Sequence, residues 1–385
     1  MRKSIKSELE GYNDIQQEIE ALRRNSLGRT AEKGMVAELI NRLHPKTLHL
    51  KVARTIRETS STRTLRLVAR EGHLPPFEAG QYINLFVEIN GVRSSRPYSI
   101  ASAPNQSGYY DLTVRQVEDG FVSSHLIDGI ETGADLESTS PAGQFHHNPL
   151  FHGDDLVFLA GGSGITPFMS MIREVTDRDL HRRIHLIYGC RTEEDVIFGA
   201  ELKQRALDFS NLTLSLVISE PTAGYDGPSG FITADLIRSL VGEPGDKMFY
   251  VCGPEAMYQF VLEELEKLKI PGRRIRQEVF GPPTDITSQP GWPEGVNKAD
   301  TFKVIFNNGS PIEARANEPL MNSLERAGQV LPAQCRSGEC SLCRTRLVSG
   351  LVFQPQGVKM RKSDSKYGYI HPCLAYPLED LELML

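Results

Sequence analysis

The spacing of apolar residues changes along the chain and divides it into regions of different structure. Up to about residue 45, apolar positions recur every three or four residues among charged ones, as amphipathic helices require. The clearest of these positions are Leu9, Tyr12, Ile15, Ile19 and Leu22. We predict a short helical N-terminal arm over residues 1–45, either packed on the rest of the protein or used for docking or dimerisation.

Residues 46–152 follow a different pattern, in which apolar and polar positions alternate over short runs. These runs are rich in β-branched and aromatic residues and are separated by Gly, Pro and Asn. They read LHLKVARTIRE, TRTLRLVAR, GQYINLFVEI, SRPYSIAS and YYDLTVRQV. Alternation of this kind predicts strands of an antiparallel β-barrel or sandwich.

Residues 153–281 contain strands that alternate with helical segments. The apolar run DLVFLA leads through GGSGITP into the helical pattern FMSMIREVTDRD. Further strands are expected at RIHLIYGC, LTLSLVIS and KMFYVCG, and further helices at AELKQRALDF, TADLIRSLVG and EAMYQFVLEELEKL. This alternation predicts an α/β domain with a parallel sheet.

The stretch 282–300 has no periodicity and is rich in Pro and Gly, so we predict an interdomain linker. Residues 301–385 begin with a β-hairpin pattern and a short helix, LMNSLERAG, which leads to a cysteine-rich loop. A multidomain protein is therefore expected, which agrees with a length of 385 residues.

Charge, apolar runs and cysteine distribution exclude some functional classes of protein and favour others. The net charge is −6, so the totals give no sign of a nucleic-acid-binding surface. No apolar run is long enough for a membrane span, and the first residues lack the apolar core of a secretory signal, which predicts a cytoplasmic protein. Four of the six cysteines lie in the last 51 residues, a distribution that favours metal ligation over disulfides.

The cysteine spacing points to an iron–sulfur cluster. The segment CRSGECSLC gives C-x4-C-x2-C, and a fourth cysteine follows 30 positions later. A 2Fe–2S cluster needs four thiolates, and zinc ribbons, the alternative, favour two CxxC pairs where this chain has one. The predicted ligands are Cys335, Cys340, Cys343 and Cys373. The segment resembles plant-type ferredoxins, which implies a β-grasp ferredoxin domain; Ser341 stands where many members have Gly.

A flavin site is indicated within the predicted barrel. Arg96, Pro97, Tyr98 and Ser99 resemble the RxYS motif of the ferredoxin–NADP reductase superfamily. The resemblance implies an Arg on the flavin phosphate, a Tyr on the isoalloxazine and a hydroxyl near N5. The segment GFVSSHL resembles the second phosphate-binding segment of that family, with Gly120, Val122, Ser123 and Ser124 as binding residues. The resemblance favours FAD, with FMN as the alternative.

A nucleotide site is indicated in the predicted α/β domain. A Gly-rich turn between a buried strand and a helix suits a pyrophosphate. The turn AGGSGITPF matches the GGxGITP segment of the same superfamily, and the later CGPEAM and EVFG match two more of its segments. The implied binding residues are Gly161, Gly162, Gly164, Thr166, Cys252, Gly253, Pro254 and Phe280, with Glu278 as a further flavin-site neighbour.

The choice between NADH and NADPH depends on the residues after YGC. Arg191 could pair with a 2′-phosphate, but three consecutive acids, residues 193–195, would repel one. The balance favours NADH, with NADPH as the alternative. Ser99 and Cys252 are the predicted residues that shape hydride transfer.

Together the segments resemble oxygenase reductases with the domain order flavin, nucleotide, ferredoxin, such as those of phthalate dioxygenase, phenylacetyl-CoA oxygenase and carnitine oxygenase. The resemblance implies a flavoprotein oxidoreductase for electron transport from NAD(P)H, through a flavin and a 2Fe–2S cluster, to a protein acceptor. The arm departs from this family pattern, so the acceptor could be an oxygenase, a corrinoid protein, a cytochrome or another ferredoxin. An NAD(P)H-responsive redox sensor and a direct NAD(P)H oxidase are the alternatives.

Overall fold

The computed structural model describes residues 12–25 and 34–385, and the chain divides into two compact units, residues 1–45 and 46–385. The first unit contains the predicted helices, α1 (Tyr12–Asn25) and α2 (Met35–Leu43). In α2 the apolar side chains are exposed. Leu9 of the predicted helical pattern lies outside the described residues. None of the helices in the described ranges has the length and apolar character that crossing a membrane requires.

The second unit begins with a six-stranded antiparallel sheet in the order β4-β3-β6-β1-β2-β5. Its strands are β1 (Leu48–Thr59), β2 (Thr62–Ala69), β3 (Tyr82–Ile89), β4 (Val92–Ser99), β5 (Tyr110–Arg115) and β6 (Asp135–Ser138). A bridge between Ile100 and Leu112 joins the two edges and closes the sheet into a barrel around an apolar core. Helix α3 (Phe121–Ser124) and a π-helical turn, His125–Gly129, follow β5.

A five-stranded parallel sheet in the order β11-β10-β7-β8-β9 comes next. Its strands are β7 (Asp155–Gly161), β8 (Arg183–Cys190), β9 (Leu212–Ile218), β10 (Met248–Cys252) and β11 (Ile275–Glu278). Its helices are α4 (Ile165–Asp177), α5 (Gly199–Asp208), α6 (Ala234–Val241) and α7 (Glu255–Lys267). The strand order reverses at β7, so a crevice opens at the carboxyl end of that strand, where such sheets bind ligands.

The last part of the chain is a mixed sheet in the order β13-β12-β18-β14-β16, with β12 and β18 parallel. Its elements, with the separate β15–β17 pair, are β12 (Thr301–Phe306), β13 (Ile312–Arg315), α8 (Leu320–Arg326), β14 (Thr345–Ser349), β15 (Val352–Phe353), α9 (Lys362–Lys366), β16 (Tyr369–Ile370), β17 (Tyr376–Pro377) and β18 (Leu381–Met384). The apolar face of α8 lies in the core beside this sheet, which is the β-grasp arrangement.

The segment predicted as a linker is fixed at both ends. The Glu255 carboxylate, at the start of α7, accepts hydrogen bonds from the Thr284 backbone amide at 2.8 Å and from Gln289 Nε2 at 3.0 Å. Trp292 packs edge-on against Phe353, with 5.2 Å between ring centroids. The linker is therefore attached to the nucleotide domain on one side and to the ferredoxin domain on the other.

The fold class predicted from the sequence is confirmed: a helical arm, an antiparallel flavin barrel, a parallel α/β domain and a ferredoxin domain. Strands β6, β11, β16, β17 and β18 are additional to the predicted ones. The domain boundaries given above stay a prediction.

Candidate functional site

The four predicted cluster ligands lie together as two pairs. Cys343 Sγ is 3.5 Å from Cys373 Sγ, and Cys335 and Cys340 form the other pair through their thiols. No three Cys, His, Asp or Glu side chains surround a single ion position in the part of the chain that is described. Two thiolates for each of two irons is the donor arrangement of a 2Fe–2S cluster, so the pairs fit that cluster and not a single tetrahedral zinc.

The loop around Cys335 favours a thiolate. Its Sγ accepts hydrogen bonds from the backbone amides of Ser337, Glu339 and Cys340 at 3.3–3.4 Å. The Cys340 thiol, with the Ser337 and Cys340 amides, lowers the pKa of Cys335 to about 5 against the opposing effect of burial. Gly338 has φ 75°, and a Cβ there would meet the Leu374 side chain at 2.8 Å, so this turn of the loop requires glycine.

The RPYS segment forms the end of strand β4. The Arg96 guanidinium is largely buried, which lowers its pKa, and an anionic group beside it would offset that cost. Burial likewise raises the pKa of the Tyr98 phenol. The Ser99 hydroxyl is buried and has no hydrogen-bond partner. A buried hydroxyl without a partner fits the edge of a ring nitrogen such as flavin N5.

The second predicted phosphate segment begins at Gly120 and lies beside strand β4. A Cβ at Gly120 would come within 2.3 Å of Ser123 Oγ, so the turn is closed to larger residues. Ser123 Oγ accepts a hydrogen bond from the Val117 amide at 3.1 Å, and Val122 packs in the barrel core. The structure therefore brings this segment and the RPYS strand together, and Ser124 continues the same helix.

The predicted nucleotide turn and the CGP segment are in direct contact. A Cβ at Gly164 would lie 2.2 Å from the Cys252 carbonyl oxygen, and one at Gly161 would lie 2.3 Å from Met257 Sδ. A Cβ at Gly253 would lie 2.5 Å from Met257 Sδ and 3.3 Å from the Gly161 backbone. Only residues without a side chain allow this approach, which leaves the turn's backbone open at the carboxyl end of β7. Thr166 Oγ1 donates to the Ser163 carbonyl and stabilises the turn.

Cys252 and Glu278 lie side by side at the ends of the parallel strands β10 and β11. Burial raises the pKa of the Cys252 thiol, and the Glu278 carboxylate raises it further. Burial also raises the pKa of the Glu278 carboxyl, with a smaller contribution from Glu339. Glu278 Oε2 is buried without a partner. Burial therefore favours the protonated carboxyl, the form that can donate a hydrogen bond.

Tyr82 connects the two halves of this site. It pairs directly with Ser99 in the β3–β4 register, and its ring is 6.3 Å, centroid to centroid, from the ring of Phe280. Burial raises the pKa of the Tyr82 phenol most, and Cys335, Cys340 and then Glu278 raise it further. Ser99, Phe280, Glu278 and Cys252 thus surround one region between the barrel and the parallel sheet.

Two residues of this region, Tyr82 and Arg115, were not predicted from the sequence. Tyr82 reads as an ordinary strand residue, and only the β3–β4 register reveals its place opposite Ser99. Arg115, at the end of β5, extends its guanidinium over the glycine turn: a Cβ at Gly162 would be 2.7 Å from Arg115 Nη1. A basic residue that ends a strand just before the Gly120 segment is the signal that could have drawn attention to it.

Three family models match the chain in sequence order. They are the oxidoreductase FAD-binding domain over residues 48–147, the oxidoreductase NAD-binding domain over 158–263, and the 2Fe-2S iron-sulfur cluster binding domain over 305–378. The matches cover the barrel, the parallel sheet and the cysteine loop. They agree with the geometry of all three sites.

Curated relatives match over most of their length. A glycine betaine monooxygenase reductase subunit of Chromohalobacter salexigens is 27% identical, over 86% of this chain and 93% of its own. A 3-ketosteroid-9-alpha-monooxygenase ferredoxin reductase component of Mycobacterium tuberculosis is 28% identical, over 86% and 94%. The solved structure of phthalate dioxygenase reductase, 26% identical, covers 88% of this chain and 98% of its own, with a TM-score of 0.67.

The three domains and their order define the class: the chain is an oxidoreductase that combines FAD-binding, NAD-binding and 2Fe–2S domains. More narrowly, it shares its fold with phthalate dioxygenase reductase and is similar over most of its length to the reductase components of monooxygenases. It transfers electrons from a nicotinamide nucleotide through these centres.

Proposed function

We propose that the chain is the reductase component of an oxygenase system, which takes electrons from NADH and delivers them singly to the oxygenase. Flavin held in the barrel would supply hydride uptake from the nucleotide, and a cluster held by the four cysteines would supply the one-electron exit. One observation carries this proposal. The segment that leads into the cysteine loop contacts the flavin barrel directly, since Asn84 Nδ2 on β3 donates to the Ala333 carbonyl oxygen at 2.8 Å. Because the predicted flavin and cluster sites are in contacting domains, electrons could pass from one to the other within the chain.

The roles of the site residues follow from their chemistry. Ser99 would donate its hydroxyl proton to the flavin ring edge, and the Cys252 thiol would pack beside the nicotinamide. The buried Glu278 carboxyl lies beside Cys252 in the β10–β11 register and would be a hydrogen-bonding group at the same site. Flavin phosphate would be held by Arg96 and the Gly120–Ser124 segment, and nucleotide pyrophosphate by the Gly161–Gly164 turn. The four cysteines would ligate the cluster. Extraction of the bound flavin, followed by chromatography against FAD and FMN standards, tests the preference for FAD.

NADH is the proposed donor because the loop after β8 leaves little positive charge for a 2′-phosphate. Arg191 Nε is paired with Glu220 Oε2 at 2.9 Å. Glu193 accepts hydrogen bonds from the Thr222 amide and hydroxyl, and Asp195 closes a capping box with Thr192. An arginine already paired with a carboxylate, beside further acids, disfavours a dianionic phosphate. Comparison of kcat/KM for NADH and NADPH tests this preference.

The acceptor is tested by reoxidation of the NADH-reduced protein under anaerobic conditions. Purified oxygenase, corrinoid protein, cytochrome and ferredoxin candidates from the same organism are mixed with it, and the return of cluster absorption is followed. Fast reoxidation by an oxygenase supports the proposal, and faster reoxidation by another class contradicts it. Ferricyanide and cytochrome c serve as artificial acceptors. A single reduction without turnover on these would instead indicate a redox sensor, and rapid oxygen consumption an oxidase.

The three family models begin at residue 48, so none of them covers the N-terminal arm. Deletion of residues 1–45 tests whether the arm contributes to docking. Loss of reoxidation by the protein acceptor, with ferricyanide reduction retained, would assign docking to the arm. The cytoplasmic location predicted from the sequence stays a prediction, which cell fractionation tests.

A further inference from the structure

The residues that bracket Cys335 are all bonded to the flavin barrel. Before it, the Ala333 carbonyl accepts from Asn84 Nδ2 at 2.8 Å, and Gln334 Nε2 donates to the Ser140 carbonyl at 3.3 Å. After it, Arg336 Nε donates to Ser95 Oγ at 3.3 Å. Three cross-domain hydrogen bonds thus surround one predicted cluster ligand.

A second set of bonds joins helix α8 to the flavin strand. Ser94 Oγ accepts from Arg96 Nη1 at 3.0 Å and donates to Glu325 Oε2 at 2.8 Å. The other oxygen of Glu325 accepts from Arg336 Nη2. The Ser94 hydroxyl therefore links the predicted flavin-phosphate arginine to a carboxylate of the ferredoxin domain, and that carboxylate to the arginine beside Cys335.

These groups are excluded from water. Asn84, Ser94 and Ser95 are 0–3% exposed, and Glu325 and Arg336 are 4–5% exposed. A buried ion pair gives little net stability, because the cost of desolvation offsets the attraction between the charges. Its directional, charge-assisted hydrogen bonds do fix the relative position of the groups that they join. An apolar contact of the same area would allow the two domains to slide.

We propose that this polar bridge, formed by Asn84, Ser94, Ser95, Glu325 and Arg336, is the positioning element that holds the cysteine loop on the flavin strand and thereby sets the rate of flavin-to-cluster electron transfer. In that step one electron leaves the NADH-reduced flavin, which is oxidised by one electron, and enters the cluster, which is reduced by one. Any proton that the flavin releases goes to water. Electron tunnelling slows steeply with separation, so a loosened loop slows this step alone.

The proposal rests on the electron path proposed above, but it is independent of the acceptor's identity. Its test therefore uses the full chain with flavin and cluster, NADH and no acceptor. The variants are Glu325→Gln, which weakens the pair with Arg336, and Ser94→Ala, which removes only the linking hydroxyl. Ser94→Thr restores that hydroxyl. Glu318→Gln is the matched control, because Glu318 pairs with Arg326 and Ser323 within the ferredoxin domain.

Stopped-flow absorption separates flavin reduction by NADH from the later reduction of the cluster. We expect Glu325→Gln and Ser94→Ala to keep the first rate and to slow the second by roughly tenfold or more, as small displacements of reacting groups do. Hydrogen–deuterium exchange should become faster in residues 333–343 and in β4, and the cluster midpoint potential should stay unchanged. Ser94→Thr and Glu318→Gln should behave as wild type.

Several outcomes would overturn the proposal. Wild-type cluster reduction in Ser94→Ala would do so, as would equal slowing of both steps, which indicates general misfolding. A shift in midpoint potential large enough to account for the slower step would assign the effect to driving force and not to position. If Glu325→Gln fails to fold, Ser94→Ala and its threonine rescue decide the question alone. A wrong acceptor assignment alters none of these measurements.

Discussion

Ser341 has a left-handed backbone, with φ 58°, between two predicted cluster ligands. Non-glycine residues seldom adopt this conformation, because Cβ approaches the following carbonyl oxygen. The sequence showed only that serine stands here where many plant-type ferredoxins have glycine. The backbone angle supplies the physical reason for the usual glycine and identifies this serine as a strained position.

Ser341→Gly should therefore stabilise the cysteine loop. Relief of the left-handed conformation should add about 1–2 kcal/mol to the free energy of unfolding. The greater freedom of glycine in the unfolded chain should subtract about 0.5–1 kcal/mol from that gain. We expect a higher temperature for the loss of the cluster's visible absorption. Ser337→Gly, in the same loop but without a positive φ, is the control and should not raise that temperature. An equal or lower transition for Ser341→Gly would contradict the strain.

Glu278 makes stability depend on pH, because burial raises the pKa of its carboxyl well above the ordinary value of 4.5. Between the two pKa values the folded chain binds the proton and the unfolded chain releases it, so the free energy of unfolding falls as pH rises. Glutamine does not titrate. Glu278→Gln should therefore gain stability relative to wild type as pH rises, with a smaller gain at about pH 5 than at about pH 8.

Thermal unfolding of both proteins across that pH range measures the difference. Glu263→Gln, on an exposed part of α7, controls for the simple loss of a carboxylate. A constant difference between Glu278→Gln and wild type would show that the carboxyl is ionised in the folded protein, against the expectation from its burial.

Among the secondary-structure elements, the long strands and helices were predictable because each repeats its buried positions several times. Strands β6 and β11 were not. Each has four residues, DLES and IRQE, with one or two of them buried, so neither repeats a pattern long enough to detect. They exist because β6 fills the space between β3 and β1, and β11 pairs with β10. Glu278 reaches the site only because β11 forms.

The loop after β8 gives a prediction about nucleotide choice. Glu220→Gln would release Arg191 from its ion pair and leave a guanidinium free near the predicted ribose position. We expect kcat/KM for NADPH to rise about two- to fivefold, the equivalent of about 0.5–1 kcal/mol for an exposed ion pair. The value for NADH should change little. The double variant Glu220→Gln/Arg191→Ala should lose the gain; retention of the gain there would show that Arg191 is not its source.

At the scale of the whole molecule, the order of the domains was predictable because each carries a short, recognisable segment. The contacts between domains were not. Glu325 and Arg336 bond to residues 231 and 241 positions away, and no local pattern marks such pairs. Asn84 and Ser94 likewise read as ordinary polar strand residues. The role of these side chains becomes visible only from their burial and their hydrogen-bond partners, and both are known only from the folded structure.

Cys340→Ser tests the electron path through the whole chain. Loss of one predicted cluster ligand should abolish NADH-dependent reduction of cytochrome c, because this acceptor takes its electrons from the cluster. Bleaching of the flavin by NADH should continue at the wild-type rate, since hydride transfer to the flavin does not require the cluster. Cys190→Ala, outside the quartet, is the control for the loss of a thiol. Failure of flavin reduction in a folded Cys340→Ser protein would contradict the modular path.

The anchored linker has a consequence for how strong the domain contact needs to be. Because Glu255 holds the linker at one end and Trp292 holds it at the other, the ferredoxin domain never diffuses away from its partner. Covalent tethering of this kind gives an effective local concentration on the order of millimolar or above. A contact too weak to join two separate proteins would then keep the domains associated nearly all the time, and evolution could adjust its few hydrogen bonds for alignment without regard to affinity.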